Sequence, residues 1–256
     1  MKTSSKALLT LACALLLVVA SVMGTLAYLT DTDSVNNTFT VGKVDIKLDE
    51  AKVNDNGKPI NKDGTVVNTD KLQDAERVNG NSYHLIPGHS YTKDPTIHVK
   101  ANSEACYLFV TLKNDIKDLI VEATDPSVAG AVLSVEQQMT KNGWTKLLDA
   151  TTTADEVWYY GRVVNGTATL TKVESSTTQQ DKVLFTGFTI NGNVKNGWES
   201  RKIGTDGSIS DVITVNAYAI QADGFDTNPT TVWNEAKSAT GYEYTEPTTA
   251  PVVEEP

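Results

Sequence analysis

Apolar side chains in this chain recur mostly at every second position, and a period of two commits a chain to sheets. Leu108, Val110 and Leu112 alternate with Tyr107, Phe109 and Thr111. Ile97 and Val99 alternate with His98 and Lys100, and Val44, Ile46 and Leu48 follow Phe39 and Val41 with a change of phase at Gly42. A glycine at such a change predicts a bulge. Val157 to Tyr160, Ala168 to Val173 and Val183 to Ile190 are rich in β-branched and aromatic residues and predict further strands. The longest, Val212 to Ala222, is apolar on much of both faces, which predicts a central strand. Helix signals are few. Pro126 to Thr140 places Val132, Val135 and Met139 at helical spacing, and Pro229 to Lys237 has Asn228 or Thr230 as a cap with Val232, Trp233 and Ala236 inward. About eight strands with one or two short helices predict an all-β fold, a jelly-roll-like β-sandwich. Ala51 to Asn81 and Thr151 to Glu156 are polar and read as insertions or mobile loops.

The N-terminus has a different character. Lys2 and Lys6 precede an uncharged apolar run, Ala7 to Val22, and Thr25-Leu26-Ala27 offers small residues where a signal peptidase reads. The expected organisation is a signal peptide over residues 1–27, cut before Tyr28, a single β-sandwich domain over 28–244, and a disordered acidic, Pro-rich tail over 245–256. Losing Lys2 and Lys6 takes the formal charge from −10 to −12. Such acidity argues against nucleic acid or an anionic membrane as partner, so membrane contact is expected only through the signal peptide. Cys13 leaves with the leader, and Cys106 is then the one cysteine left. No internal disulfide is available, and a buried inert thiol is the expected state. No second apolar run approaches the length of about 18 residues that a spanning helix needs, and the C-terminal EPTTAPVVEEP has no wall-sorting motif. The expected location is therefore secreted, without a covalent wall anchor.

The junction GTLAYLTDTDSVNNTFTVGKVDIKL, Gly24 to Leu48, resembles the SipW-dependent leader of the TasA/camelysin family of secreted Gram-positive proteins. Gly24, Thr25, Ala27, Tyr28, Leu29, Asp31, Phe39, Gly42, Asp45, Ile46 and Leu48 carry the likeness. Leu85 to Lys113 resembles the family's Pro-Gly turn, Lys-Asp-Pro strand entry and following strand, and Ile213 to Ala236 its closing strand and short helix. The resemblance implies a jelly-roll fold, processing by a dedicated type I signal peptidase, and biofilm-matrix fibres built from copies of itself or related matrix subunits. It also implies, as a lesser alternative, a camelysin-like surface metalloprotease.

Motifs for chemistry are sparse. The sequence contains no H-E-x-x-H, no G-x-S-x-G elbow and no Gly-rich phosphate loop, so an enzyme and a cofactor are not expected. His84, His89 and His98 read as solvated turn or strand residues. Asp206, Asp223 and Asp226 are weak calcium candidates whose spacing fits ordinary Asp-Gly turns better than a ligand loop. Trp144, Trp158, Tyr159, Tyr160 and Trp198 offer either a sugar-stacking surface or core packing.

Assembly is the reading that remains. Cleavage at Thr25-Leu26-Ala27 before Tyr28 would free an arm that leads into the first strand, with Tyr28, Leu29, Phe39, Val41, Val44, Ile46 and Leu48 as its apolar positions. Inserted beside a strand edge of the next subunit, it gives a head-to-tail polymer by donor-strand exchange. The expected function is a secreted structural protein of the biofilm matrix or cell surface. The alternative from the same residues is a monomeric extracellular module that binds a glycan or wall ligand.

Overall fold

A computed structural model describes residues 43–151, 154–194 and 213–238. All of them fall in one compact unit, Gly42–Pro256. The strands in chain order are β1 (Ile46–Ala51), β2 (Arg77–Val78), β3 (Ser90–Thr92), β4 (Thr96–Val99), β5 (Cys106–Asn114), β6 (Trp144–Leu148), β7 (Glu156–Val164), β8 (Thr167–Leu170), β9 (Gln180–Val183), β10 (Gly187–Thr189) and β11 (Ile213–Gln221). Among the described residues two short α-helices accompany them, α1 (Val135–Lys141) and α2 (Pro229–Ser238). Every strand pairing is antiparallel. The protein is all-β.

Three sheets form: β2-β1-β4-β9, β11-β5-β7-β6 with β8 on the end of β7, and the pair β10-β3. Alternation along β5 explains how they pack. Cys106, Leu108, Val110 and Leu112 point into a core shared with Ile97 and Val99 of β4, Trp144, Trp158 and Phe185. Tyr107 and Phe109 point the other way, into a second cluster with Tyr159, Val232 and Trp233. One face of the five-stranded sheet thus meets the four-stranded sheet, and the opposite face is covered by α2, whose Trp233 ring sits 5.2 Å from Phe109 and 5.3 Å from Tyr218.

Local signals explain the elements. Asn165 and Gly166 both take positive φ between β7 and β8, as a two-residue hairpin turn of matching twist requires. Ser134 caps α1 in a reciprocal capping box with Gln137. The Asn228 side chain accepts from the Thr230 and Thr231 N–H groups and starts α2.

In the five-stranded sheet β5 lies between β11 and β7, and among the described residues β11 pairs with β5. Four expectations change. Val183 to Ile190 is two strands, β9 beside β4 and β10 beside β3. The break buries Leu184 and Phe185 completely and brings Gly187 so close to the Tyr91 carbonyl that an added Cβ would lie 2.4 Å from it. Ala51 to Asn81 is not a loose loop: it holds β2, isolated bridges at Val53↔Pro59 and Ile60↔Val66, and the buried Ala75. The helix expected over Pro126 to Thr140 is confined to its C-terminal half, leaving Val132 outside it and exposed. Glu156, placed with a loop by its polar neighbours, is a buried residue at the start of β7.

Candidate functional site

The first described strand carries two unlike faces. Ile46 and Leu48 of β1, with Val44 just before it, pack against the main core, and Ile46 and Leu48 stand opposite Val99 and Ile97 of β4. These three arm candidates therefore lie within the chain's own fold. The strand runs on to Ala51, and ion pairs within the fold satisfy its Asp49 and Glu50. The remaining arm and cleavage positions, Thr25, Ala27, Tyr28, Leu29, Phe39 and Val41, lie outside the described residues, as do Gly42, Asp206, Trp198 and residues 245–256.

On the outer face of the four-stranded sheet, side chains from four strands and a loop converge on Asp49. Its Oδ1 accepts from Arg77 Nε at 2.7 Å and from His98 Nε2 at 2.8 Å, and its Oδ2 pairs with Lys47 Nζ at 2.8 Å. Arg77 spans onward, its Nη1 reaching Asp94 Oδ2 at 2.6 Å, and Asp94 Oδ1 accepts the Ala51 N–H at 2.6 Å. On its far side His98 Nδ1 meets Asp181 Oδ1 of β9 at 2.6 Å. A carboxylate can only accept, so an imidazole held by one on each side must donate from both nitrogens. The two carboxylate contacts favour the imidazolium form of His98. Gln179 Nε2 lies 3.1 Å from the same Nδ1 and 2.9 Å from Asp181 Oδ1, an alternative partner should Nδ1 lose its proton.

Burial would raise the Asp49 carboxyl, but the hydrogen bonds from His98, Lys47 and Arg77 outweigh it and hold Asp49 well below the usual carboxylate range. The Asp49 hydrogen bond, opposed by burial and aided by Asp181, raises His98 above the ordinary imidazole value. Burial lifts Asp94 above its usual range against the pull of the Ala51 N–H and Arg77. This overturns the reading of His98 as a solvated strand histidine: its side chain is only 12% exposed. The sequence offered no cue, since Asp181 reaches His98 only once β9 is known to pair with β4.

A second polar knot lies on the other side of β1. Glu50, 3% exposed, receives Lys93 Nζ on Oε2 at 2.6 Å and Asn81 Nδ2 on Oε1 at 2.8 Å. The Tyr83 ring lies 5.9 Å from Lys93 Nζ and packs edge-on to Tyr91 and Phe188.

The remaining candidates resolve simply. Trp144, Trp158 and Tyr159 are at most 2% exposed. They pack in the core and offer no sugar-stacking surface. Cys106 is fully buried, and burial pushes its thiol up to about 12, the state of an unreactive thiol. Asp223 lines a surface hollow of about 450 Å³ with Glu104 and Lys172, while Asp226 accepts the Asn228 N–H in the turn before α2. Among the described residues no group of three or more His, Cys, Asp or Glu side chains is placed to hold a metal ion. His84 and His89 lie beside the Pro87-Gly88 turn and do not join His98 in such a group.

Edges matter for a chain read as self-assembling. Those of the four-stranded sheet are short, two residues in β2 and four in β9. β11 runs nine residues in unbroken register with β5, and no strand among the described residues pairs with its other edge. Comparison with known protein families, characterised proteins and solved structures finds no match for this chain.

Proposed function

We propose that this chain is an exported structural protein of the TasA/camelysin kind, a subunit of an extracellular matrix or cell surface that joins to its own copies through an N-terminal arm. The junction from Gly24 to Leu48 carries this reading: it sets small residues readable by a peptidase just ahead of a segment that leads into β1. Two antiparallel layers around one core, with a helix on the outside, are what a jelly-roll sandwich of that family would present.

The long edge of β11 supports the acceptor half of the proposal. A long, regular strand edge templates further pairing wherever nothing covers it. An arm from a second copy is the occupant this reading supplies. Val44, Ile46 and Leu48 remain with their own subunit, and the donated residues are those upstream, from Tyr28 to Val41. Repetition of this heterologous contact gives a filament rather than a ring.

Light scattering over days on protein beginning at Tyr28, beside the same protein with a short N-terminal extension, tests the reading. Growth of the free-ended sample alone is expected, and deletion of residues 28–40 should leave a folded β-rich monomer. A persistent monomer in every sample would overturn assembly and favour a secreted binding module.

A further inference from the structure

The buried knot around Glu50 holds, in one place, all the parts of an acyl transfer between two side chains. Alternation puts Glu50 on the face of β1 that carries Ile46 and Leu48, away from Asp49. Its two oxygens hold Lys93 Nζ at 2.6 Å and Asn81 Nδ2 at 2.8 Å. Nucleophile and amide are therefore separated by no more than one carboxylate and two hydrogen bonds. Glu50 is 3% exposed and Lys93 9%, while Asn81 is half-buried, so the Lys93–Glu50 pair is largely shielded from water.

Backbone groups fix how the amide lies. The Val53 N–H, which can only donate, meets Asn81 Oδ1 at 2.9 Å, and the Ala51 carbonyl, which can only accept, meets Nδ2 at 2.9 Å. The Asn81 carbonyl is thus polarised by a fixed donor at the oxygen where negative charge would gather on attack. Its amino group already faces the carboxylate that would protonate it on departure.

The geometry points to a covalent Lys93–Asn81 isopeptide bond, formed by the folded chain itself with Glu50 as proton carrier. Glu50 takes a proton from the Lys93 ammonium, and the freed amine attacks Asn81 Cγ. Negative charge collects on Oδ1 against the Val53 N–H. As the Nζ–Cγ bond forms, the Cγ–Nδ2 bond breaks and its electron pair leaves with nitrogen. Two protons leave Nζ: one departs on ammonia, and one stays on Glu50 as a neutral acid. No oxidant, metal or co-reactant is needed. The step turns a buried ion pair, costly to desolvate, into a neutral amide and a neutral acid, and proximity in the folded state supplies the rate. The bond closes the chain from Asn81 to Lys93 around the Tyr83–Tyr91–Phe188 corner. It is independent of whether subunits polymerise.

Mass spectrometry of the purified full chain after trypsin decides it, wherever the N-terminus begins. Trypsin cuts after Arg77, Lys93 and Lys100. A crosslinked chain resists cutting at Lys93 and yields one peptide, Val78 to Lys100, lighter than its sequence by one ammonia. K93R, N81A and E50Q should each give cutting at position 93 and full mass, with K93R keeping the charge pair and the fold. A native chain cut at Lys93 at full mass overturns the proposal, as does an uncut peptide without the mass loss. Loss of ammonia that persists in K93R also overturns it, since that marks cyclisation at Asn79-Gly80 instead.

Discussion

The two large sheets of this protein are held by different forces. The five-stranded sheet is packed with apolar side chains on both faces: β5 alone contributes Leu108, Val110 and Leu112 to one cluster and Tyr107 and Phe109 to another. The four-stranded sheet has an apolar inner face but joins β1, β2, β4 and β9 across its outer face through Asp49, Arg77, His98 and Asp181. Burial of apolar area is indifferent to pH and hardly sensitive to salt, whereas a hydrogen-bonded charge lattice depends on every member keeping its proton state. One sheet should therefore behave as ballast and the other as the condition-dependent part of the fold.

The largest effect should come from the apolar side. Phe109→Ala empties a fully buried site against Trp233 and is expected to cost about 3–5 kcal/mol in urea unfolding, with loss of α2 docking seen as a change in tryptophan fluorescence. Arg77→Ala leaves Asp49 and Asp94 buried without their shared cation and should cost about 3 kcal/mol. A loss under about 1 kcal/mol would mean that Lys47 and His98 suffice, and the contrast between the sheets would weaken.

Smaller still, and of opposite sign on the two sides of neutrality, is the pH dependence. His98 titrates above its ordinary value in the folded chain, so its contribution is complete below about 6.5 and is lost as pH rises through the raised value. Asp49 titrates below its ordinary value, so its contribution is present above about 3.9 and is lost as pH falls further. Asp94 runs against Asp49 and softens the acid limb, because burial raises it. Urea midpoints followed across pH should show a plateau between the two limbs, and H98Q should flatten the alkaline one. The mildest change is Asp181→Asn: Asp181 is half exposed, and a cost below about 1 kcal/mol is expected, with the His98 imidazole resonance titrating at lower pH by NMR.

How much of this was legible in the sequence divides along the same line. Strands such as Cys106–Asn114 and Ile213–Gln221 are readable because apolar alternation is local. The helix cap at Asn228 is readable for the same reason. Two-sided apolar character in Ile213–Gln221 reports the layers that cover it, the main core on one face and α2 on the other, and does not by itself say which strands it pairs with. The charge lattice was invisible for a stronger reason. Asp49, Arg77, Asp94, His98 and Asp181 are ordinary surface residues until the register Ile97↔Lys182 and Leu48↔Ile97 brings their strands side by side. A polar stretch such as Ala51 to Asn81 looks like a loop when the groups that satisfy it lie elsewhere in the chain.

The pairing of β5 with β11 also sets a timetable. Asn216 donates to Thr111 across 105 residues of chain, and the nine-residue ladder runs from Ile213↔Asn114 to Gln221↔Cys106, every pair long-range in sequence. Closing so long a loop is entropically expensive and slows folding. A ribosome that has released β5 must add residues 115–212 before the strand that completes it appears. Until then the most apolar strand of the molecule has a bare edge. The chain should stay open and pliable through most of its synthesis, and it should snap shut only when its last strand arrives.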